Sequence, residues 1–255
     1  MNIISLTTDL GSKDFYVAVL KGEILKAIPE ATIIDITHEI TPFNVQQASF
    51  VLQCSYSHFP DGTIHIVGVD TSVNRSLKHL VFKHKDHFFI GPDNGIFPLS
   101  FSDSFPEYFA LKEPSTGTLP ASDIYVNAAR EIISGKILSQ IGEPLSQPHT
   151  LLPFRPILNP DFIKGYVAHI DRFENVILNI RKDEFENVRK DRRFVVHFKT
   201  NDDIERLAEN YFSVSEGNIS VLVNSAGFLE MFMYHGNMAG LLGLKVGDSV
   251  TINFK

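Results

Sequence analysis

The sequence predicts an α/β amino-terminal domain, with a mostly parallel sheet flanked by helices, followed by an all-β barrel or sandwich domain. In residues 1–150, apolar runs typical of buried strands alternate with segments whose apolar residues recur at helical spacing. Residues 151–160 then hold three prolines within eight positions, which indicates a linker or an extended segment at a sheet edge. In residues 161–255, short β-rich runs are separated by turn residues.

The elements follow from these patterns in chain order. Strands are expected at 3–8, 31–36, 63–69, 79–84, 87–90 and 108–111, with the fourth and fifth paired as a hairpin. Helices are expected at 15–28, 45–57 and 123–133, and Asn44 is a suitable N-cap for the second. The second half is expected to form strands at 165–170, 176–180, 194–198, 219–223, 228–233 and 249–254, with a short helix near 204–209.

Composition excludes several classes of protein. The 255 residues carry a formal net charge of -7, which argues against an extended phosphate-binding surface and hence against nucleic acid as a partner. A single cysteine, Cys54, excludes an intramolecular disulfide, and its apolar surroundings predict a buried side chain. The amino terminus has no signal-peptide pattern and no stretch is long enough to span a bilayer, so a cytoplasmic protein is expected.

Carboxylates follow two of the predicted parallel strands. Asp9 comes after the first strand and Asp70 after the third, and ligands of open α/β sheets bind at the carboxyl ends of strands. A carboxylate is a natural acceptor for the hydroxyls of a ribose, yet the sequence has neither a glycine-rich dinucleotide fingerprint nor a P-loop. These observations predict a site for a nucleoside that carries something other than phosphate. Asp14 is expected in the first turn of the next helix, where it either stabilises the helix dipole or contacts a ligand.

Three turns have both a structural and a functional interpretation. The segment Gly91-Pro92-Asp93-Asn94-Gly95 is typical of a strand-to-helix corner, and direct ligand contact is the alternative. Asp171 ends one predicted strand and Asn175 begins the next, so both suit turn and capping roles as well as binding. The segment 224–227 is a similar turn between two apolar strands. No histidine spacing matches a zinc site, and no metal is expected.

Taken together, these motifs resemble one family, the S-adenosylmethionine hydroxide adenosyltransferases, which are related to fluorinating and chlorinating enzymes. The resemblance covers nearly the whole chain. The motifs that carry it are Thr8-Asp9-Leu10-Gly11 with Asp14; Thr41-Pro42-Phe43; Val69-Asp70; Gly91-Pro92-Asp93-Asn94-Gly95; Ile170-Asp171 with Phe173 and Asn175; Asn179-Ile180; and Asn224-Ser225 with Gly227, Leu229 and Glu230.

The resemblance implies a homotrimer whose sites lie between the amino-terminal domain of one subunit and the carboxy-terminal domain of its neighbour. The ligand would be S-adenosylmethionine, as a substrate or ligand and with no further cofactor, attacked at the ribose C5′ by water or halide while methionine leaves. By the same resemblance, Asp9 would hold the ribose hydroxyls and Phe43 would pack over the sugar or sulfonium.

The remaining ligand contacts are also implied by resemblance. Asp14, Asp171 and Ser225 would hold the methionine end, with Asp171 matching its ammonium charge. Asn175 would hydrogen-bond the adenine edge, and Tyr211 would stack on the base.

The sequence departs from the family where hydrolytic members have an Asp-Arg-His set that positions water. Asp70 is present, but Leu77 occupies the arginine position and Pro120 the histidine position. Arg75, two residues before Leu77, lies on the same face of an extended segment and is the candidate substitute for the arginine. Halogenating members have no carboxylate at the position of Asp70, where a bare carboxylate would repel a halide.

Two hypotheses follow from this pattern. The first is slow hydrolysis of S-adenosylmethionine to adenosine and methionine, with Asp70 and Arg75 as catalytic residues, because alignment of water with a good leaving group supplies much of the rate. The second is a non-catalytic binder of adenosine or adenosylmethionine, acting as a sensor or reservoir. A third, weaker alternative is adenosyl transfer to, or hydrolysis of, another nucleoside-bearing substrate.

Overall fold

The computed structural model describes residues 2–71, 77–101, 106–112, 119–198 and 203–255. The chain divides into two compact units, Met1–Pro153 and Phe154–Lys255. Each unit has its own buried apolar clusters, so each is described separately below.

The first unit is a sheet with helices on both faces. Its strands are β1 (Asn2–Thr8), β2 (Ala31–Thr37), β3 (Ile64–Gly68), β4 (His79–His84), β5 (His87–Pro92), β6 (Tyr108–Leu111) and β7 (Gly142–Leu145). Its helices are α1 (Tyr16–Ala27), α2 (Val45–Ser55), α3 (Ile96–Ser100), α4 (Ile124–Ile133) and α5 (Leu138–Ile141). One apolar cluster joins α1 and α4 to the sheet, and another joins α2 and α3 to it.

The sheet is mixed, which corrects the prediction of a mostly parallel one. In the described residues the strand order is β2-β1-β3-β5-β4-β6-β7. The pairs β1–β2, β1–β3 and β3–β5 are parallel, whereas β4–β5, β4–β6 and β6–β7 are antiparallel. The predicted hairpin of β4 and β5 is confirmed, and neighbouring strands alternate in direction from β5 through β4 and β6 to β7.

Three predictions about single residues of this unit had different outcomes. The predicted N-cap is confirmed, because the Asn44 side chain accepts a hydrogen bond from the Gln47 amide at 2.9 Å. The placement of Asp14 in the first turn of α1 is wrong: α1 begins at Tyr16, and Asp14 lies exposed in the bend before it. Cys54 is half-buried rather than buried, because it lies near the end of α2, away from the residues of that helix that face the sheet.

The second unit is an antiparallel sheet. Its strands are β8 (Ile157–Asn159), β9 (Phe162–Ile170), β10 (Val176–Arg181), β11 (Phe194–His197), β12 (Ile219–Val223), β13 (Phe228–Met233) and β14 (Ser249–Phe254). The order along the sheet is β11-β14-β9-β10-β13-β12, with β8 paired to β9. Helices α6 (Lys182–Arg189) and α7 (Met238–Leu242) complete the unit. The strands at 165–170, 176–180, 194–198, 219–223, 228–233 and 249–254 are therefore confirmed within a few residues at their ends.

An extended segment joins the two outer strands of this sheet. Ile204 pairs with Val196 of β11, and Leu207 pairs with Val221 of β12. The helix predicted near 204–209 is therefore wrong, since the backbone groups of this segment bond to strands rather than to one another.

Among the described residues, no helix is long and apolar enough to cross a membrane. The cytoplasmic location stays a prediction.

Candidate active site

Asp9 joins three separate segments at the carboxyl ends of the parallel strands. Its Oδ2 accepts hydrogen bonds from the backbone N–H of Phe43 at 3.0 Å and of Asp70 at 3.1 Å. Asp9 directly follows β1 and Asp70 lies two residues beyond β3, and these strands are parallel neighbours. The structure thus brings together Asp9, Phe43 and Asp70, all three predicted from the sequence as site residues.

Phe43 and Asp70 both have left-handed backbone conformations, with φ of 67° and 49°. Such angles are uncommon for residues other than glycine and concentrate at functional sites, where surrounding contacts hold them. The two hydrogen bonds to Asp9 help to keep Phe43 and Asp70 in these conformations. The Asn94 side chain also helps to fix Asp70, because its Nδ2 donates to the backbone oxygens of Val69 at 3.0 Å and Asp70 at 3.3 Å.

The two carboxylates of this site repel each other. Burial, and then the nearby charge of Asp9, raise the pKa of Asp70 above its usual range. Among the described residues, Asp9 Oδ1 and the Asp70 carboxylate have no hydrogen-bond partner, so these oxygens are free to accept from a ligand or water. This arrangement suits a ligand with hydroxyl groups or a positive charge.

A cavity of about 650 Å³ opens beside Asp70. One wall is the segment Thr41–Gln46, which leads into α2 and includes the exposed ring of Phe43. Other described lining residues are Leu77, Asp93, Asn94, His149 and Leu151. Asp93 Oδ1 accepts from the backbone N–H of His149 at 2.7 Å, and burial raises the pKa of Asp93. The predicted corner at Gly91–Gly95 is confirmed as the link from β5 to α3, and it also contributes Asp93 and Asn94 to the cavity.

The remaining candidates of the first unit lie apart from this arrangement. Asp14 is exposed before α1, and no hydrogen bond among the described residues joins it to Asp9 or Asp70. Arg75 lies outside the described residues. Leu77 lines the cavity, whereas Pro120 is buried in a 3-10 helix at Pro120–Ser122.

In the second unit, Asp171 organises the turn between β9 and β10. Its Oδ1 accepts from the backbone N–H of Phe173 at 2.9 Å and of Asn175 at 2.8 Å, and its Oδ2 accepts from Asn175 Nδ2 at 3.1 Å. Asp171 and Asn175 therefore have the structural role in a turn that the sequence predicted as an alternative to ligand binding. The same turn leaves the ring of Phe173 75% exposed, which gives this loop an apolar surface as well as a charge.

A buried carboxylate, Glu230, lies near this turn. It accepts from the Tyr211 hydroxyl at 2.7 Å and from Asn224 Nδ2 at 3.1 Å, and it is 3% exposed. Burial, and then the charge of Asp171, raise the pKa of Glu230, and burial together with Glu230 raises the pKa of Tyr211. Ser225 lies exposed in the turn beside Asn224. The structure thus groups Asp171, Asn175 and Tyr211 in one region.

Sequence reasoning gave no role to Glu230 or His149. Glu230 had a signal, because a charged residue within the apolar run 228–233 requires hydrogen-bonding partners if that run is buried. The sequence held no such signal for His149, because this residue lies in a stretch without regular secondary structure and reaches the cavity through tertiary contacts alone. Within the described ranges, no three His, Cys, Asp or Glu side chains are grouped so that they could hold a metal ion.

The fold and the site define a class of protein that has an α/β unit and a β unit. In the α/β unit, two carboxylates lie at the carboxyl ends of neighbouring parallel strands. The SAM hydroxide adenosyltransferase N-terminal domain matches residues 4–142, and the SAM hydroxide adenosyltransferase C-terminal domain matches residues 165–251. The chain therefore belongs to the SAM hydroxide adenosyltransferase family, and the resemblance seen in its motifs is confirmed.

Similar proteins span the full length of the chain. An (R)-S-adenosyl-L-methionine hydrolase of Methanocaldococcus jannaschii is 32% identical, over 99% of this chain and 96% of the relative. A fluorinase of Actinoplanes sp. is 22% identical, over 98% of this chain and 97% of the relative. The crystal structure of an uncharacterized conserved protein from Thermotoga maritima superposes with a TM-score of 0.90 at 32% identity, covering 98% of this chain and 99% of the other.

Proposed function

We propose that this protein hydrolyses S-adenosylmethionine to adenosine and methionine. The oxygen of a water molecule attacks the ribose C5′, the C5′–sulfur bond breaks, and its electron pair returns to sulfur as neutral methionine leaves. One proton is released from the water. The observation that carries the proposal is that Asp9 accepts hydrogen bonds from the backbones of Phe43 and Asp70, which both line one cavity, in a member of this family.

The geometry of the first-unit residues supports the roles that the family resemblance implies for them. Asp9 uses Oδ2 for the backbone and keeps Oδ1 for the ribose hydroxyls, which a carboxylate accepts well. Asp70 orients the attacking water, since its carboxylate is an acceptor at the edge of the cavity. The Phe43 ring lies on the cavity wall, where it is positioned to pack against the sugar or sulfonium.

The other assignments follow from the family resemblance. Asp14, Asp171 and Ser225 bind the methionine end of the ligand, while Asn175 and Tyr211 bind the adenine. Arg75 assists Asp70 in holding the water. The relatives named (R)-S-adenosyl-L-methionine hydrolase support the (R) sulfonium epimer as the substrate.

The test is to incubate the pure protein with each sulfonium epimer in water enriched in ¹⁸O. We expect adenosine and methionine by chromatography, faster from the (R) epimer, with ¹⁸O in the 5′-hydroxyl of adenosine. Label at that position requires attack of water on C5′. Tight binding by calorimetry without products would instead support a non-catalytic binder and would exclude hydrolysis.

Substitution of Asp70 tests the catalytic part of the proposal. We expect Asp70→Asn to lower kcat by about 10² or more, because misalignment of the attacking water costs a factor of this order, while the ligand still binds. The matched control is Asp86→Asn, in the exposed turn between β4 and β5, whose side chain is 65% exposed. If Asp70→Asn turns over as fast as Asp86→Asn, then Asp70 is not catalytic.

We also propose that the chain acts as a homotrimer, with each site built from the first unit of one subunit and the second unit of its neighbour. The family resemblance supports this assembly. Exposed aromatic rings near the predicted adenine and methionine contacts also support it, since Phe173 is 75% and Phe212 is 74% exposed in the single chain.

A further inference from the structure

We propose that His149 accepts the proton from the attacking water, a role that rests on the hydrolysis proposed above. In this step the water oxygen forms its bond to C5′ as the C5′–sulfur bond breaks. The water proton passes to the imidazole and then to solvent. The sequence placed no catalytic group in the segment that contains His149.

The first support is position. His149 and Asp70 line the same cavity, and among the described residues that line it His149 has the only basic side chain. His149 is also exposed in the single chain.

The second support is that one turn fixes both groups. Within Gly91–Gly95, Asp93 Oδ1 accepts from the His149 backbone N–H at 2.7 Å, while Asn94 Nδ2 donates to the Asp70 backbone oxygen at 3.3 Å. The backbones of His149 and Asp70 are therefore held by adjacent residues. Such a common support is what a precise reacting geometry requires.

The segment that contains His149 is held at a second point. Leu151 packs directly over Gly95, since a Cβ added there would lie 2.5 Å from Leu151 Cγ. Gly95 has φ of 95°, in the region that favours glycine, so the turn has both the space and the backbone conformation for this contact. The segment is thus held at His149 and at Leu151 despite lying outside any helix or strand.

Two carboxylates share this part of the cavity with His149. Asp93 accepts from the His149 backbone N–H, and Asp70 lines the same cavity. An imidazole is the side chain most often used as a general base, because it can take up and release a proton near neutral pH.

The test is loss and chemical rescue of turnover. We expect His149→Ala to lower kcat by about 10² or more, and imidazole added to the buffer to restore part of it in a concentration-dependent way. A purely structural role would not respond to free imidazole. The matched control, His58→Ala, removes an exposed histidine from the same unit, and we expect no loss and no rescue.

Each outcome has a distinct meaning. If the wild type gives adenosine and methionine but His149→Ala retains its kcat, or loses it without rescue, then the role of His149 is refuted and hydrolysis stands. If the wild type gives no products, the proposed hydrolysis fails and the role of His149 fails with it. Rescue of Asp70→Asn by imidazole to the same extent would show a general buffer effect, and would also refute the assignment.

Discussion

At the residue scale, Asp9 has a structural role through one oxygen, and ribose binding is the role that we propose for the other. One oxygen holds the left-handed backbones of Phe43 and Asp70, which lie 34 and 61 residues away along the chain. The other oxygen has no partner within the described part of the chain. A substitution at Asp9 should therefore affect both ribose binding and the position of Asp70.

We predict that Asp9→Asn lowers kcat/KM by about ten- to a hundredfold, because hydrogen bonds to a charged group are worth roughly 1.5–3 kcal/mol. The asparagine oxygen still accepts from the backbone, but the charge is lost and an amide donor appears where an acceptor is required. Steady-state kinetics with S-adenosylmethionine measures the effect, with Asp86→Asn as the control. A change below twofold would contradict a ribose-binding role.

Single residues were predicted with unequal success. Asp9, Phe43 and Asp70 were predicted as site residues because strand ends and family motifs mark them. The structure brings them together, and their roles toward a ligand stay predictions. The hydrogen bonds of Asp171 confirm the turn that the spacing of Asp171 and Asn175 predicted. Asp14 was placed wrongly, because α1 begins later than the apolar pattern of its sequence indicates.

At the element scale, the strand ends opposite the site hold a histidine cluster. His65 of β3 is fully buried, with Ser5 Oγ at 2.6 Å from its Nδ1 and His87 Nδ1 at 3.2 Å from its Nε2. Burial, and then the nearby His87, lower the pKa of His65 to about 3. The ring also stacks on Phe89 of β5, with centroids 4.8 Å apart.

We predict that the protein loses stability as pH falls below about 6.5, the usual pKa of histidine. His65 is neutral in the folded state and takes up a proton when the chain unfolds, so the unfolded state binds more protons. The free energy of unfolding therefore falls with decreasing pH until the folded-state pKa of about 3 is reached. Thermal unfolding measured from pH 8 to pH 4.5 tests the slope.

The control for this slope is His65→Leu. The substitution removes the titrating group, so the loss of stability between pH 6.5 and pH 4.5 should be smaller than in the wild type. The comparison uses the slope because the variant also leaves Ser5 without its partner at every pH. Equal slopes in the two proteins would show that His65 is not the group responsible.

The elements themselves were predicted well where hydrophobic periodicity is strong. The buried strands and the helices α1, α2 and α4 were placed within a few residues, because their apolar residues repeat with the period of the backbone. Short elements such as α3, α5 and α7 were missed, since four or five residues do not establish a period. The direction of β4, which makes the sheet mixed, follows from the two-residue turn to β5.

At the scale of the whole molecule, the proposed trimer predicts complementation between inactive variants. Asp70→Asn alters the first unit and Asp171→Asn alters the second, and each is expected to lose activity alone. Mixed trimers made by coexpression should recover activity, because some sites then combine two unaltered units. Asparagine at 171 retains an oxygen for the turn, which limits the change to the charge.

Sedimentation provides the accompanying measurement. We expect a particle of three times the 28.6 kDa chain mass. Mixed particles isolated with two different tags that recover no activity would contradict shared sites, and a monomer in solution would contradict the trimer itself.

The sequence by itself determined the family, the two-part organisation, most strands and the carboxylates at the ends of β1 and β3. The strands repeat apolar residues with the period of the backbone, and the family motifs and the carboxylates are short runs of neighbouring residues. A local pattern in the sequence therefore marks each of these features. Only the tertiary structure showed that β6 and β7 add further antiparallel pairs to the sheet, that Asp9 holds Phe43 and Asp70, and that His149 lies on the same cavity as Asp70. These features depend on contacts between residues far apart in sequence, and no local pattern specifies which distant groups meet when the chain closes.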